Sequence, residues 1–254
     1  MAGHSKWANI KHRKGAQDKK RAKIFTRMLK EIHIAVKEGG DADPDHNPRL
    51  RLAVQNAKGA NVPKDTIERA IKKASGADSE SYEEVNFEGY LPHGVAVFVE
   101  ASTDNNQRTV ANVRAIFTKS GGSLGTHGSL EFIFDHKGVF ELTKEALGER
   151  DREELELELI DGGAEEIDKG DEAWTVITEF ADFGKMQQKL DDLQIEAKSS
   201  ELQRFPKNYV ELELEEARQI MKAIDRFEED EDVNNVYHNL AIDDTLAEAL
   251  AADA

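Results

Sequence analysis

The sequence predicts an α+β protein of several domains, with an N-terminal three-helix domain followed by two ferredoxin-like α+β domains, one inserted in the other. Three observations lead to that prediction. Apolar residues recur at three- and four-residue steps up to about residue 74, and beyond it strand and helix periods alternate. The sign of the charge reverses at the same place: residues 1–75 carry a net +10 and the remainder a net −27, within a chain of −17 overall. The last strand-helix-strand segment is too short to form a sheet alone, so it must complete an earlier one.

The first 17 residues, with breaks at Gly3 and Gly15, read as an arm without sustained periodicity. A helix is expected from about Asp18, where Phe25, Met28, Leu29, Ile32, Ala35 and Val36 form one stripe ending at Gly39 and Gly40. Asn47-Pro48 supplies an N-cap and first turn for a second helix ending at Gly59. Pro63 opens a third, with Ile67, Ala70, Ile71 and Ala74 on one face. The stretch from Ser75 to Ser81 reads as a linker.

Beyond it, strands are expected at Val95–Ala101 and Leu130–Phe134, around a helix at Asn106–Lys119. A second series follows: strand Val139–Leu142, one helix over Lys144–Ile160, strands at Ala164–Ile167 and Trp174–Glu179, helix Asp182–Leu193, and a closing strand at Ile195–Ala197. The third series is strand Tyr209–Leu214, helix Glu215–Phe227 and strand Val233–Tyr237, with a frayed end from Asp243. The expected domains are 1–75, 82–134 with 208–240, the insertion 135–207, and an acidic tail 241–254.

At 254 residues, with 39% hydrophobic and 33% charged residues, the chain can build more than one core under a strongly solvated surface. No apolar run approaches the roughly 20 residues that cross a bilayer, and no secretory signal is visible. The absence of cysteine excludes disulfides, thiolate metal sites and a cysteine nucleophile. A cytoplasmic protein without cofactor or metal is expected.

The cations carry the functional signal. Lys6, Lys11, His12, Arg13 and Lys14 occupy the arm, and Lys19, Lys20, Arg21, Lys23 and Arg27 continue onto the first helix. Arg49, Arg51, Lys58 and Lys64 supplement them on the next two helices. Such residues bind phosphate and release counterions, so a nucleic-acid partner with strong salt dependence is expected. Trp7 either stacks on an exposed base or docks onto its own bundle. Lys64, Arg69, Lys72 and Lys73 lie on a helix that suits either a helix-turn-helix or the solvated face of an ordinary bundle, and backbone contact is the reading that covers both.

Other motifs are weaker. Gly121-Gly122-Ser123-Leu124-Gly125 matches the pattern of a nucleophile elbow, but a helix precedes it and a strand follows, the reverse of what the elbow requires. Asp41, Asp43 and Asp45 imitate the start of a calcium loop, yet Leu52 stands where a bidentate glutamate is needed. No catalytic residues are assigned.

The run Ala2-Gly3-His4-Ser5-Lys6-Trp7-Ala8-Asn9-Ile10-Lys11-His12-Arg13-Lys14 closely resembles the YebC/PmpR family, which includes the mitochondrial translational activator of cytochrome oxidase. Similar stretches are Asn47-Pro48-Arg49-Leu50, Gly59-Ala60-Asn61-Val62-Pro63, Asp104 to Thr109, Gly121 to Gly125 and Val233 to Asn239, nearly spanning the chain. At Glu88–Gly94 the sequence departs from that family's glycine-rich pattern through Leu91 and His93. The resemblance implies three domains, a discontinuous middle one, and no catalytic set. It implies two functions: a DNA-binding transcriptional regulator, or a ribosome-associated translation factor that contacts ribosomal RNA and relieves stalling on proline-rich sequences. Oligomeric state is left open.

Overall fold

The structure, a computed structural model, describes residues 21–76 and 81–251. The readings at Lys6, Trp7, Lys11, His12, Arg13, Lys14, Lys19 and Lys20 lie outside the described residues. Among the described residues two compact units emerge, one drawn from residues 21–27, 81–135 and 205–251, the other from residues 28–76 and 136–204.

In the second unit three helices precede a sheet. Helix α1 (Arg21–Gly39), which belongs to this unit from Met28 onward, contributes Ile32, Ile34, Ala35 and Val36 to the interior. Helix α2 (Pro48–Gly59) starts where expected, because the Asn47 side chain accepts from Leu50 N at 3.0 Å and Pro48 has no amide to leave unsatisfied. The same Asn47 amide donates to Ala35 O at 2.8 Å, fixing α2 against α1. Helix α3 (Lys64–Ala74) buries Ile67 and Ala74.

That unit's sheet is built from β4 (Phe134–Thr143), β5 (Ala164–Lys169), β6 (Ala173–Glu179) and β7 (Ser199–Pro206), in the order β5-β6-β4-β7. Helices α5 (Lys144–Leu147), α6 (Arg152–Asp161) and α7 (Phe183–Asp192) connect the strands, giving the β-α-β-β-α-β succession of a ferredoxin-like domain. Phe140, Leu142, Leu155, Leu159, Trp174, Val176, Met186 and Leu190 form one core. Helix α2 reaches this sheet directly. Asn56 Nδ2 donates to Ser200 O, its Oδ1 accepts from Ser200 N, and Gln55 Nε2 donates to Ala197 O.

The first unit holds β1 (Glu83–Tyr90), β2 (Ala96–Thr103), β3 (Ser123–Leu124) and β8 (Val233–His238), in the order β3-β1-β2-β8. Strands β1 and β2 form an antiparallel hairpin from Glu83↔Thr103 to Tyr90↔Ala96, placing a chain-distant strand, β8, beside β2. Helices α4 (Asn106–Lys119) and α8 (Leu214–Glu229) cover one face with Val113, Phe117, Ile220, Ile224 and Phe227; the Phe117 and Phe227 rings are 4.7 Å apart. On the other face Ala96, Phe98, Leu130, Phe134 and Tyr237 cluster.

Six local expectations are corrected. Of the strand expected at Leu130–Phe134 only Phe134 belongs to a strand, as the first residue of β4; residues 130–133 are a turn, because the buried Glu88 carboxylate accepts from Gly128 N at 2.7 Å and Leu130 N at 2.5 Å, removing those amides from any ladder. Strand β1 was missing from the expected elements, since Glu83, Glu84, Asn86 and Glu88 hide its alternation. The single helix over Lys144–Ile160 is two, interrupted at Gly148 with φ 58°. Ile195–Ala197 is a connection, and the closing strand is the more polar β7. Tyr209–Leu214 makes only one bridge, Val210 to Leu240, because Glu213 and Glu216 form a capping box that starts α8 at Leu214. The end expected to fray forms α9 (Asp244–Ala251), with Asp243 Oδ1 accepting from Leu246 N at 2.7 Å.

Candidate nucleic-acid interface

Among the described residues, the structure distributes the expected phosphate contacts into three environments. Lys23 lies in the first turns of α1, where its amine donates to the carbonyl oxygens of Glu228 and, at 2.6 Å, Asp230. Arg27, one turn on, donates through Nη1 to Asn235 Oδ1 at 2.7 Å, and Asn235 Nδ2 donates to Glu100 Oε2 at 3.1 Å. Arg21 begins the helix itself.

Arg49 is engaged between helices. Its Nη2 lies 3.1 Å from Glu31 Oε1, and Nη1 meets Glu38, so the guanidinium ties α2 to two points of α1 about two turns apart. Arg51 donates to Pro44 O at 3.1 Å and Asp45 O at 3.0 Å, closing the preceding loop. Lys58 and Lys64 are the most available cations of the set. Lys58 is exposed and forms no ion pair with any described residue; Lys64 has 86% of its side chain exposed and a loose 3.7 Å contact with Glu68.

Arg51 and Lys58 share a groove of about 420 Å³ with Val54 and Gln55 of α2, Pro44 and Asp45, and Asp191, Gln194, Ile195 and Glu196. Its lining mixes Arg51 and Lys58 with Asp45, Asp191 and Glu196, so the groove is not a phosphate cradle. The structure therefore does not gather the described cations into one patch. Asn235 and Glu100 were absent from the expected site; the only signal was a pair of asparagines inside an otherwise apolar strand.

The two motif decoys resolve structurally. Ser123 is exposed on β3, paired with Tyr90, after helix α4. Asp41 and Asp43 turn their carboxylates onto the amides of Asp43 and Asp45 at 2.8 and 3.0 Å, ordinary Asx turns. Among the described residues no group of three or more His, Asp or Glu side chains is placed to hold a metal. No described helix is long and apolar enough to cross a membrane.

Two family models match: the TACO1/YebC protein N-terminal domain over residues 5–77, and the TACO1/YebC second and third domain over residues 82–240. The chain belongs to the TACO1/YebC family. Among its curated YebC-family relatives is a "Probable transcriptional regulatory protein" of Amoebophilus asiaticus, 53% identical over 243 residues, covering 95% of this chain and 98% of the relative. A protein of the same name from Chlorobaculum parvum is 44% identical, covering 98% and 99%. The YebC fold is also seen in the crystal structure of a conserved hypothetical protein from Aquifex aeolicus, with TM-score 0.74, 37% identity and coverage of 87% and 90%.

Proposed function

We propose that this protein is a regulator of gene expression that binds nucleic acid through the phosphate backbone, using its basic N-terminal segment, and that it acts by binding rather than catalysis. One observation carries the reading: the first 30 residues hold ten Lys or Arg against a single acid, Asp18, in a chain whose remainder is strongly acidic. Exposed charges interact weakly beyond a Debye length of about 8 Å, so the overall −17 does not cancel a segregated basic segment. The names of the relatives support a regulator, and Lys58 on α2 and Lys64 on α3 supply further exposed cations.

The cations contact backbone, so the chemistry suits duplex DNA and ribosomal RNA alike. The test measures binding of the full chain, and of a variant lacking residues 2–14, to promoter duplex, scrambled duplex and ribosomes at several salt concentrations. Six to ten phosphate contacts would reduce affinity about 10³- to 10⁵-fold between 50 and 200 mM salt. A preference for promoter over scrambled duplex assigns transcription. Arm-dependent ribosome co-sedimentation, with equal and weak duplex binding, assigns translation. Undiminished binding by the truncated variant overturns the reading.

A further inference from the structure

Two cations of α1 in the first unit, Lys23 and Arg27, turn toward the acidic body of their own unit. Lys23 donates to Glu228 O and Asp230 O at the C-terminal end of α8, where helix carbonyls lack intrahelical partners and the helix dipole is negative. Five consecutive acids, Glu228 to Asp232, follow there. Arg27 meets Asn235 on β8, which is itself held by Glu100. These are the interactions that a phosphate offers: anionic field and oxygen acceptors.

Two features make this contact separable from the fold. The acceptor turn is held independently of α1: Asp232 is gripped by Arg108, and Asp230 accepts from Asn112 Nδ2 at 3.0 Å and Asp232 N at 3.0 Å. The helix side of the contact is incompletely buried, with Lys23 and Arg27 beside the half-buried Ile24 and Phe25. None of residues 22–27 is fully buried, whereas Ile32 and Ala35 farther along α1 have no exposure. Releasing residues 22–27 therefore exposes no fully buried side chain.

We infer that the α8 C-terminus and the acidic turn after it act as an internal competitor for nucleic acid. They clasp the first turns of α1, and a polyanion must displace them before Lys23 and Arg27 reach phosphate. This inference rests on the nucleic-acid reading above and adds a restraint to it. The clasp lowers affinity for isolated phosphates and leaves a dense polyanion, which engages the remaining cations first, able to open it.

The experiment uses the full chain with Asn235→Ala, which removes the acceptor of Arg27 without touching a cation. Binding to a labelled duplex and to an RNA hairpin is measured across salt, together with amide hydrogen exchange over residues 22–27 in free and saturated protein. The expected variant binds about tenfold more tightly, with the slope of log K against log salt on duplex unchanged, because the opened wild type makes the same phosphate contacts. In the wild type, exchange over residues 22–27 is expected to change on saturation as the helix exchanges partners. Equal affinity for the two proteins, with exchange over 22–27 unaltered by ligand, overturns the clasp while leaving the nucleic-acid reading intact. Absence of salt-dependent binding by the wild type overturns both.

Discussion

Arg108 and Asp232 meet as a bidentate ion pair across 124 positions of sequence, Nη2 standing 2.7 Å from Oδ2 and 3.0 Å from Oδ1, with Nε 3.2 Å from Oδ2. The same carboxylate accepts from Thr109 Oγ1 at 2.8 Å and Thr103 Oγ1 at 3.2 Å. Hydrogen bonds donated to Asp232, then to Asp104, hold the guanidinium more firmly protonated than an ordinary arginine. This network joins the start of α4 to the turn before β8 and so closes the discontinuous sheet.

Thr109→Val keeps the shape and removes one hydroxyl from a wholly buried position. The loss is expected to be about 1–3 kcal/mol, the range for leaving a buried polar partner unsatisfied. Asp232→Ala should be worse, because it takes the shared acceptor from both buried hydroxyls and leaves Arg108 with Asp104 as its remaining carboxylate partner. Urea denaturation of both variants checks the order, and equal midpoints would contradict it.

Gly59 closes α2 where a Cβ would stand 1.7 Å from the Lys198 carbonyl oxygen. Gly59→Ala must push the helix off β7 and weaken the Asn56 bonds to Ser200. A destabilisation of about 1–3 kcal/mol is expected, as for other overpacked contacts, read from the thermal midpoint.

Arg49 and Lys58 should separate stability from binding. Arg49→Ala removes a half-exposed link to Glu31 and Glu38 and is expected to cost up to about 1 kcal/mol without changing the salt dependence of nucleic-acid binding. Lys58→Ala and Lys64→Ala should leave stability nearly unchanged while each lowers the slope of log K against log salt on duplex by about 0.9. Anisotropy titrations at three salt concentrations distinguish the two classes.

Lys137 gives the alkaline edge of stability. Burial lowers its pKa, but hydrogen bonds to Glu165 and Glu179 outweigh it, and the net shift is upward from 10.5. A raised pKa stabilises the fold fully below 10.5, and the contribution disappears as pH rises through the folded value. Lys137→Met should abolish that alkaline decline, measured by denaturation between pH 9 and 12. Asp161 behaves oppositely: its hydrogen bond to Lys189 lowers its pKa, so its contribution is lost as pH falls through the depressed folded value, below 3.8.

How much was legible in sequence depends on where each signal lay. Helices α2, α3, α4 and α8 were readable because caps, glycine stops and 3.6-residue stripes are local: Asn47, Gly59 and Phe117-to-Val113 spacing need no distant partner. Strand β1 was not, because Glu88 is a buried carboxylate in an otherwise ordinary hairpin, stabilised by the amides of a turn 40 residues away. Among the cations, sequence identified the types but not their commitments. Nothing local to Lys23 announces carbonyls of residues 228 and 230 as its partners, and nothing local to Arg49 distinguishes it from the freer Lys58.

The sequence by itself determined the fold class, the family and the segregation of positive from negative charge, because all three are written in composition, period and short motifs. The strand orders β3-β1-β2-β8 and β5-β6-β4-β7, the breaks at Gly148 and Leu130, and the division of the described cations into bound and available were decided only by tertiary structure. The physical reason is range. Helix caps and apolar stripes act within a few residues, whereas strand neighbours, buried carboxylates and ion-pair partners are selected by packing between segments that the chain brings together from far apart.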